Sequence, residues 1–209
     1  VIWIGCHLAA DLVERSALGV LFGDPEEALA SARHAIGLKT TSKGYRLVSL
    51  IRLMVVLQYR GMLQLPSSTA IIEEASTLAE RSGDVLLRFS IESNLAVASL
   101  DAGDLERAEV LMARATTMLG AADMDISRFN QTNNRAELAL AQHDYAKAAE
   151  AFTEAATYLG PTTPSYMQEL VSAGLGLCAL ETGDLPESRR REQELSYAPR
   201  RWHFDPTTI

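Results

Sequence analysis

Gly103-Asp104-Leu105-Glu106-Arg107-Ala108-Glu109-Val110-Leu111-Met112-Ala113-Arg114-Ala115 decides the fold, because its pattern returns 40 residues later as His143-Asp144-Tyr145-Ala146-Lys147-Ala148-Ala149-Glu150-Ala151-Phe152-Thr153-Glu154-Ala155. Working outward, the same column reads Gly23, Leu63, Gly103, His143, Gly183, and the next reads Asp24, Gln64, Asp104, Asp144, Asp184. Small residues follow in register at Ala28, Ser68, Ala108, Ala148 and Ser188, then Ala35, Ala75, Ala115, Ala155 and Leu195. A fixed period in the range of roughly 20 to 50 residues marks units that cannot bury a core alone and must stack on their neighbours.

The unit is a helical hairpin. Ala108, Leu111, Met112, Ala115 and Met118 recur at three- and four-residue spacing, the period of an amphipathic helix, and Phe89 to Leu100 behaves the same way. Glycine between them accepts the left-handed conformation that ends one helix, and the aspartate oxygen caps the free amides of the next. Asp24-Pro25-Glu26-Glu27 and Asp184-Leu185-Pro186-Glu187 add a glutamate three residues past the cap, the arrangement of a capping box. The small residue at Ala108 and its equivalents lets the second helix approach the first; a bulky side chain there costs packing energy.

This spacing predicts an all-α protein of five antiparallel helix pairs. First helices are expected near 4–21, 45–60, 86–101, 125–141 and 166–181, and second helices near 25–38, 67–81, 105–119, 145–158 and 185–196. Repeats then run over about 4–38, 45–81, 86–119, 125–158 and 166–196, one domain over 1–196, with 197–209 left as a C-terminal cap or linker. Loops rich in Gly, Pro, Thr, Ser and Asp separate the repeats at 39–44, 120–125 and 160–165.

These residues resemble tetratricopeptide repeats. Asn94-Leu95-Ala96 with Gly103-Asp104-Leu105, Ala108, Met112 and Ala115 matches that family's Leu-Gly, Gly-Asp-Tyr and Ala spacing in register. His143-Asp144-Tyr145 with Ala148, Phe152 and Ala155 is a second match, and Leu175-Gly176 with Gly183-Asp184-Leu185 a third. Leu63-Gln64-Leu65-Pro66 departs from the pattern. The resemblance implies a right-handed α-α superhelix, a solenoid. The 40-residue unit, longer than the family's usual one, and Ile72 to Asp84 are similar to the repeat region of large LuxR-type regulators related to the maltose activator.

Composition removes several function classes. A chain of 209 residues with 47% hydrophobic content can bury a long continuous core. No apolar run reaches the roughly 18 residues of a membrane span, since Leu47 to Leu57 is interrupted by Arg52. The first residue is Val, and Val1 to Cys6 has neither a basic leader nor a small-residue cleavage site, so an excised segment of a longer cytoplasmic protein is expected. Cys6 and Cys178 lie at opposite ends of the array and are read as reduced packing residues. A net charge of -8 argues against direct nucleic-acid binding, which needs clustered Lys and Arg. Arg189-Arg190-Arg191 and Arg200-Arg201 are local exceptions, read as a solvated helix face and tail.

A catalytic reading finds little support. Cys6 and His7 are helix neighbours about 100° apart and cannot by themselves form a nucleophile-base pair. His34, His143 and His203 are scattered, with no partners at metal-ligand spacing. His143 occupies the glycine column, and Gly174-Leu175-Gly176 lies inside an expected helix where it cannot cradle phosphate. No enzyme, cofactor or metal is expected.

The candidate surface is written twice. Arg88-Phe89-Ser90-Ile91-Glu92-Ser93-Asn94 recurs as Arg128-Phe129-Asn130-Gln131-Thr132-Asn133-Asn134, followed by Arg135 and Glu137. Ser90, Ser93 and Asn94, like Asn130, Asn133 and Asn134, fall at i, i+3 and i+4, on one helix face. Resemblance to peptide-binding tetratricopeptide domains implies that this face lines the concave groove, where Asn94 and Asn134 hold a ligand's backbone through paired amide contacts. Arg88, Arg128 and Arg135 add recognition of a carboxylate, and Glu137 moderates their charge. Alternatively, Asn134 simply bonds a neighbouring helix. The equivalent faces of repeats two and five are apolar, Leu53, Met54 and Leu57, then Ala173, Gly174 and Leu177. Those linings could instead be closed by a neighbouring repeat, by another domain of the parent protein or by a second copy in a homodimer. The function expected is a non-enzymatic scaffold for a protein or peptide segment within a transcriptional or signalling regulator. The alternatives are a small-molecule effector domain and a structural spacer.

Overall fold

The computed structural model describes residues 25–37, 43–59, 61–63, 65–120, 125–161, 163 and 165–197. The expected helix at 4–21, Cys6, His7 and the segment from residue 198 onward lie outside the described residues. Within them the chain is helical, with no strand. The helices are α1 (Pro25–Gly37), α2 (Lys43–Tyr59), α3 (Thr69–Ser82), α4 (Val85–Asp101), α5 (Leu105–Leu119), α6 (Asp125–Ala141), α7 (Tyr145–Ala156), α8 (Ser165–Glu181) and α9 (Leu185–Tyr197). A single 3-10 turn, Pro66–Ser68, precedes α3. Five second helices and four first helices therefore stand within about two residues of the positions that the 40-residue period predicts.

The hairpin turns share one chemistry. Gly103 and Gly183 have φ of 76° and 83°, and His143 adopts the same left-handed conformation at φ 60°. In each turn the following aspartate amide donates to the carbonyl five residues back: Asp104 to Ser99 at 2.9 Å, Asp144 to Ala139 at 2.9 Å and Asp184 to Ala179 at 2.8 Å. The aspartate carboxylate then accepts from the amide three residues on, Arg107, Lys147 or Glu187, each at 3.1 Å. These bonds satisfy orphan groups on both sides of the turn. The Glu187 side chain does not reach back to close a capping box; its carboxylate is held by Arg190 and Arg191 instead.

Repeat two solves the turn differently. Gly61, not Leu63, takes the left-handed conformation at φ 62°, and Met62 N donates to Leu57 O at 2.7 Å. Leu63 is buried, and Pro66 starts the 3-10 turn that delays α3 to Thr69. Ser68, in the small-residue column, is buried, and its hydroxyl donates to Met62 O at 2.9 Å. Gly83-Asp84 places the same left-handed and capping pair between α3 and α4, with the Asp84 carboxylate accepting from Leu86 and Leu87.

Two compact units divide the chain after residue 123. In the first, α2 is the central element: Leu47, Leu50, Leu53, Met54, Val56 and Leu57 are all buried, and α1, α3 and α4 pack around it. Arg46 spans that packing by bonding the Glu74 carboxylate on α3 and the Ile36 carbonyl on α1. In the second, Phe129, Phe152, Met167, Val171 and Cys178 form a core with Ala136, Ala148 and Ala155. Gly174 lets the Phe152 ring lie directly on the α8 backbone, since a Cβ there would fall 2.3 Å from Cζ. Alanines of the small-residue column, Ala108 and Ala148, are fully buried, as close helix approach requires.

Candidate functional site

On α4, Arg88 is exposed, Ser90 and Asn94 are half-buried, and Ser93 is buried. The Ser90 hydroxyl donates back to Leu86 O at 2.9 Å, so it is committed to its own helix. Ser93 Oγ has no hydrogen-bond partner. On α6, Asn130 and Arg135 are exposed, Arg128, Asn134 and Glu137 are half-buried, and Asn133 is buried. Asn133 Nδ2 donates to Glu137 Oε1 at 2.8 Å, while its Oδ1 is buried without a partner. Arg135 lies 3.8 Å from Glu154 on α7, a pairing within its own hairpin.

The two polar faces are therefore graded, not flat. Residues at i+3 and i+4 sit about 100° apart around a helix, so Ser93 and Asn133 turn inward while Asn94 and Asn134 are only half-buried. Neither Asn94 nor Asn134 shares a side-chain hydrogen bond with another described residue. Both amides thus retain their donors and acceptor.

The apolar flank expected from repeat two is absent from the surface. Leu53, Met54 and Leu57 are buried, because α2 is apolar around most of its circumference and is enclosed by α1, α3 and α4. In repeat five Ala173 and Leu177 are exposed as expected, whereas Gly174 is buried beneath Phe152.

Three features escaped the sequence reading. Glu92 is pushed above the usual carboxylate range by burial, against the pull of Arg114 and Arg88, and Arg114 Nη2 donates to its Oε1 at 2.6 Å. A cleft of about 270 Å³ opens between α1, α2 and α3, floored by Ile36, Leu50, Leu53 and Ile71 with Arg33 and Glu74 at its edge. Leu170 and Leu180 stand 46% and 51% exposed along α8, extending the face on which Leu177, 43% exposed, was expected. Their spacing was a visible signal, but buried and bare leucines look alike in a sequence. Among the described residues no group of His, Cys, Asp or Glu could hold a metal ion. No described helix is long and apolar enough to cross a membrane.

No protein-family model matches the chain, and no curated protein matches it. Solved structures do. A crystal structure of a Podosopora anserina putative kinesin light chain with nearly identical TPR-like repeats, in a singly substituted form, aligns with a TM-score of 0.60 over 91% of this chain and 94% of that one, at 15% identity. A second crystal structure of that protein aligns at 0.58 over 90% and 92%, at 16% identity. The fold is that of tetratricopeptide-like repeats. At this identity the likeness speaks to the fold alone, and what the tetratricopeptide-like array of this chain binds must be argued from its own side chains.

Proposed function

We propose that this chain is a non-catalytic scaffold that binds an extended protein or peptide segment through its first-helix faces. In this reading it is the interaction region of a larger cytoplasmic transcriptional or signalling regulator, and the LuxR-type resemblance of the 40-residue unit supports that setting. The observation that carries the reading is an uncommitted amide at the same repeat position in each unit, Asn94 on α4 of the first and Asn134 on α6 of the second. A primary amide offers two donors and one acceptor, so it can pair with a ligand's backbone whatever the ligand's side chains. Arg88 and Arg128, each six residues before an amide, favour a ligand segment with acidic side chains or a free carboxylate.

The test is an arrayed peptide library probed with the purified chain. Asn94→Ala and Asn134→Ala, each with an unchanged circular dichroism spectrum, should lose the selected acidic peptides. Retention of every peptide by both variants would remove these faces from the function.

A second reading, an effector domain for a small molecule, is favoured by the cleft between α1, α2 and α3. Its floor is aliphatic and Glu74 is neutralised by Arg46, which leaves Arg33 to meet a carboxylate. Calorimetry with a medium-chain carboxylate and its alcohol analogue separates this reading from the first, since only the acid should bind and Arg33→Ala should abolish it.

A further inference from the structure

We infer that the exposed leucine stripe of α8 docks one amphipathic helix of a partner protein, with aliphatic residues on its seated face and basic residues along its edges. This rests on the scaffold reading and deepens it at repeat five, on residues that do not include Asn94 or Asn134.

The stripe is a single face. At about 100° per residue, Leu170, Ala173, Leu177 and Leu180 fall within about a quarter of the α8 circumference, and at 1.5 Å per residue they cover about 15 Å, close to three turns. The opposite side of α8 is spent: Met167, Val171 and Cys178 enter the core, Gly174 carries Phe152, Gly176 faces Arg191, and Ser172 bonds Glu194 on α9.

Register within the second unit indicates what kind of element belongs on the stripe. Shifting by 40 residues, Leu170 corresponds to Asn130, exposed in α6 as well, and Ala173, Leu177 and Leu180 correspond to Asn133, Glu137 and Leu140 of α6. Asn133, Glu137 and Leu140 are buried or half-buried, and Leu140 packs against the cluster to which α8 contributes Met167, Val171 and Cys178. Leu140 is thus half-buried against a core, whereas the α8 equivalent, Leu180, is 51% exposed. The repeat also carries Ala173 and Leu177 where α6 has the polar Asn133 and Glu137.

A complete further hairpin is not what the surface calls for. The partner helix α9 is wholly polar from Glu187 to Glu194, with Leu185 exposed at its start, so the apolar demand falls mainly on α8. One helix satisfies it. Charge selects the helix: Glu169 and Glu181 flank the stripe on its two sides, and Asp184 follows at its C-terminal end. Basic edges on the occupant complement all three, and the same acids oppose a second copy of this face.

The probe is a fluorescein-labelled 18-residue peptide with leucines at positions i, i+3, i+7 and i+10 and arginines along both edges, titrated with the full chain by fluorescence anisotropy. We expect saturable binding that weakens at least ~10-fold in Leu177→Asp and in Leu170→Asp, both at exposed positions that the fold does not need. Glu169→Lys should weaken binding at low salt and match the unmodified chain at high salt. Equal binding of a peptide with the same charge and scrambled leucines would overturn the proposal, as would indifference to both leucine variants. Concentration-dependent dimerisation abolished by Leu177→Asp would assign the stripe to a second copy. Binding only after removal of residues 198–209 would assign it to the chain's own terminus. Because Asn94→Ala and Asn134→Ala leave this surface intact, loss of their peptides and loss of this one are separable failures.

Discussion

Gly174→Ala tests the packing of the second unit most directly. In an ordinary exposed helix this change gains stability, about 1 kcal/mol from helix propensity. Here the new Cβ would lie 2.3, 2.4 and 2.6 Å from Cζ, Cε2 and Cε1 of Phe152, where carbon atoms normally sit about 3.5–4.0 Å apart. The missing space exceeds 1 Å and all of it must come from an aromatic ring that is only 2% exposed. Overpacking of this kind costs about 1–3 kcal/mol, and expelling the ring altogether would approach the 3–5 kcal/mol of losing a buried phenylalanine. After the propensity gain, a net loss of up to about 2 kcal/mol is expected if the ring shifts and about 2–4 kcal/mol if it is expelled, read by urea unfolding at 222 nm as a lower midpoint with an unchanged slope.

Two further variants make the reasoning refutable. Gly176→Ala brings its Cβ only to 3.1 Å from Arg191 Cβ, a contact that a small shift of α9 relieves, so propensity and crowding should nearly cancel. Phe152→Leu removes the ring atoms that collide. In the double variant with Gly174→Ala the two costs should fall short of their sum by about 1 kcal/mol or more, the coupling expected of residues in contact. A Gly174→Ala protein at least as stable as the parent, or strict additivity with Phe152→Leu, would refute the proposed contact.

Other outcomes follow from the turns. His143→Gly should stabilise by about 0.5–1 kcal/mol, because a non-glycine residue at φ 60° carries a steric cost of about 1–2 kcal/mol, offset in part here by the exposed His143 Nδ1 to Tyr145 hydroxyl bond of 2.9 Å; thermal unfolding decides the sign. Asp144→Ala should cost about 1 kcal/mol by freeing the Lys147 amide, with a similar loss for Asp104→Ala, whereas Asp144→Asn should change little. Glu187 is held well below its ordinary 4.5, to about 2, first by the hydrogen bond from Arg190 and then by that from Arg191. A depressed acid pKa contributes stability that is complete above about 4.5 and is lost as pH falls toward 2, so Glu187→Gln should remove a stabilising contribution at neutral pH that is absent in strong acid. An NMR titration placing the Glu187 carboxyl midpoint near 4.5 would contradict the pairing.

The fold was legible because its determinants are local and repeated. Gly-Asp at 103–104 and 183–184 states both the end of one helix and the cap of the next, and Ala108 and Ala148 state the close approach between them. Even His143 was readable, since only the column, not the residue type, reveals the left-handed turn. Repeat two was not, because Gly61 does the turning two residues before the column and Pro66 then inserts a 3-10 step. A fixed period cannot register a compensating shift of that kind.

The candidate surface was harder to read for a different reason. Helical spacing assigns residues to a face but does not say how deep that face lies, and depth separates Asn134 from Asn133 and Leu177 from Leu57. The leucines of α2 and α8 obey the same periodicity, yet α2 is enclosed by three helices and α8 keeps one side bare. In a repeat array that difference is positional: a face is covered or free according to which neighbour follows it, and the neighbour is written elsewhere in the chain. The polar α9 beside the apolar stripe of α8 makes this concrete. One helix of the pair is solvated along most of its length and the other keeps an apolar side, a difference that periodicity alone cannot express.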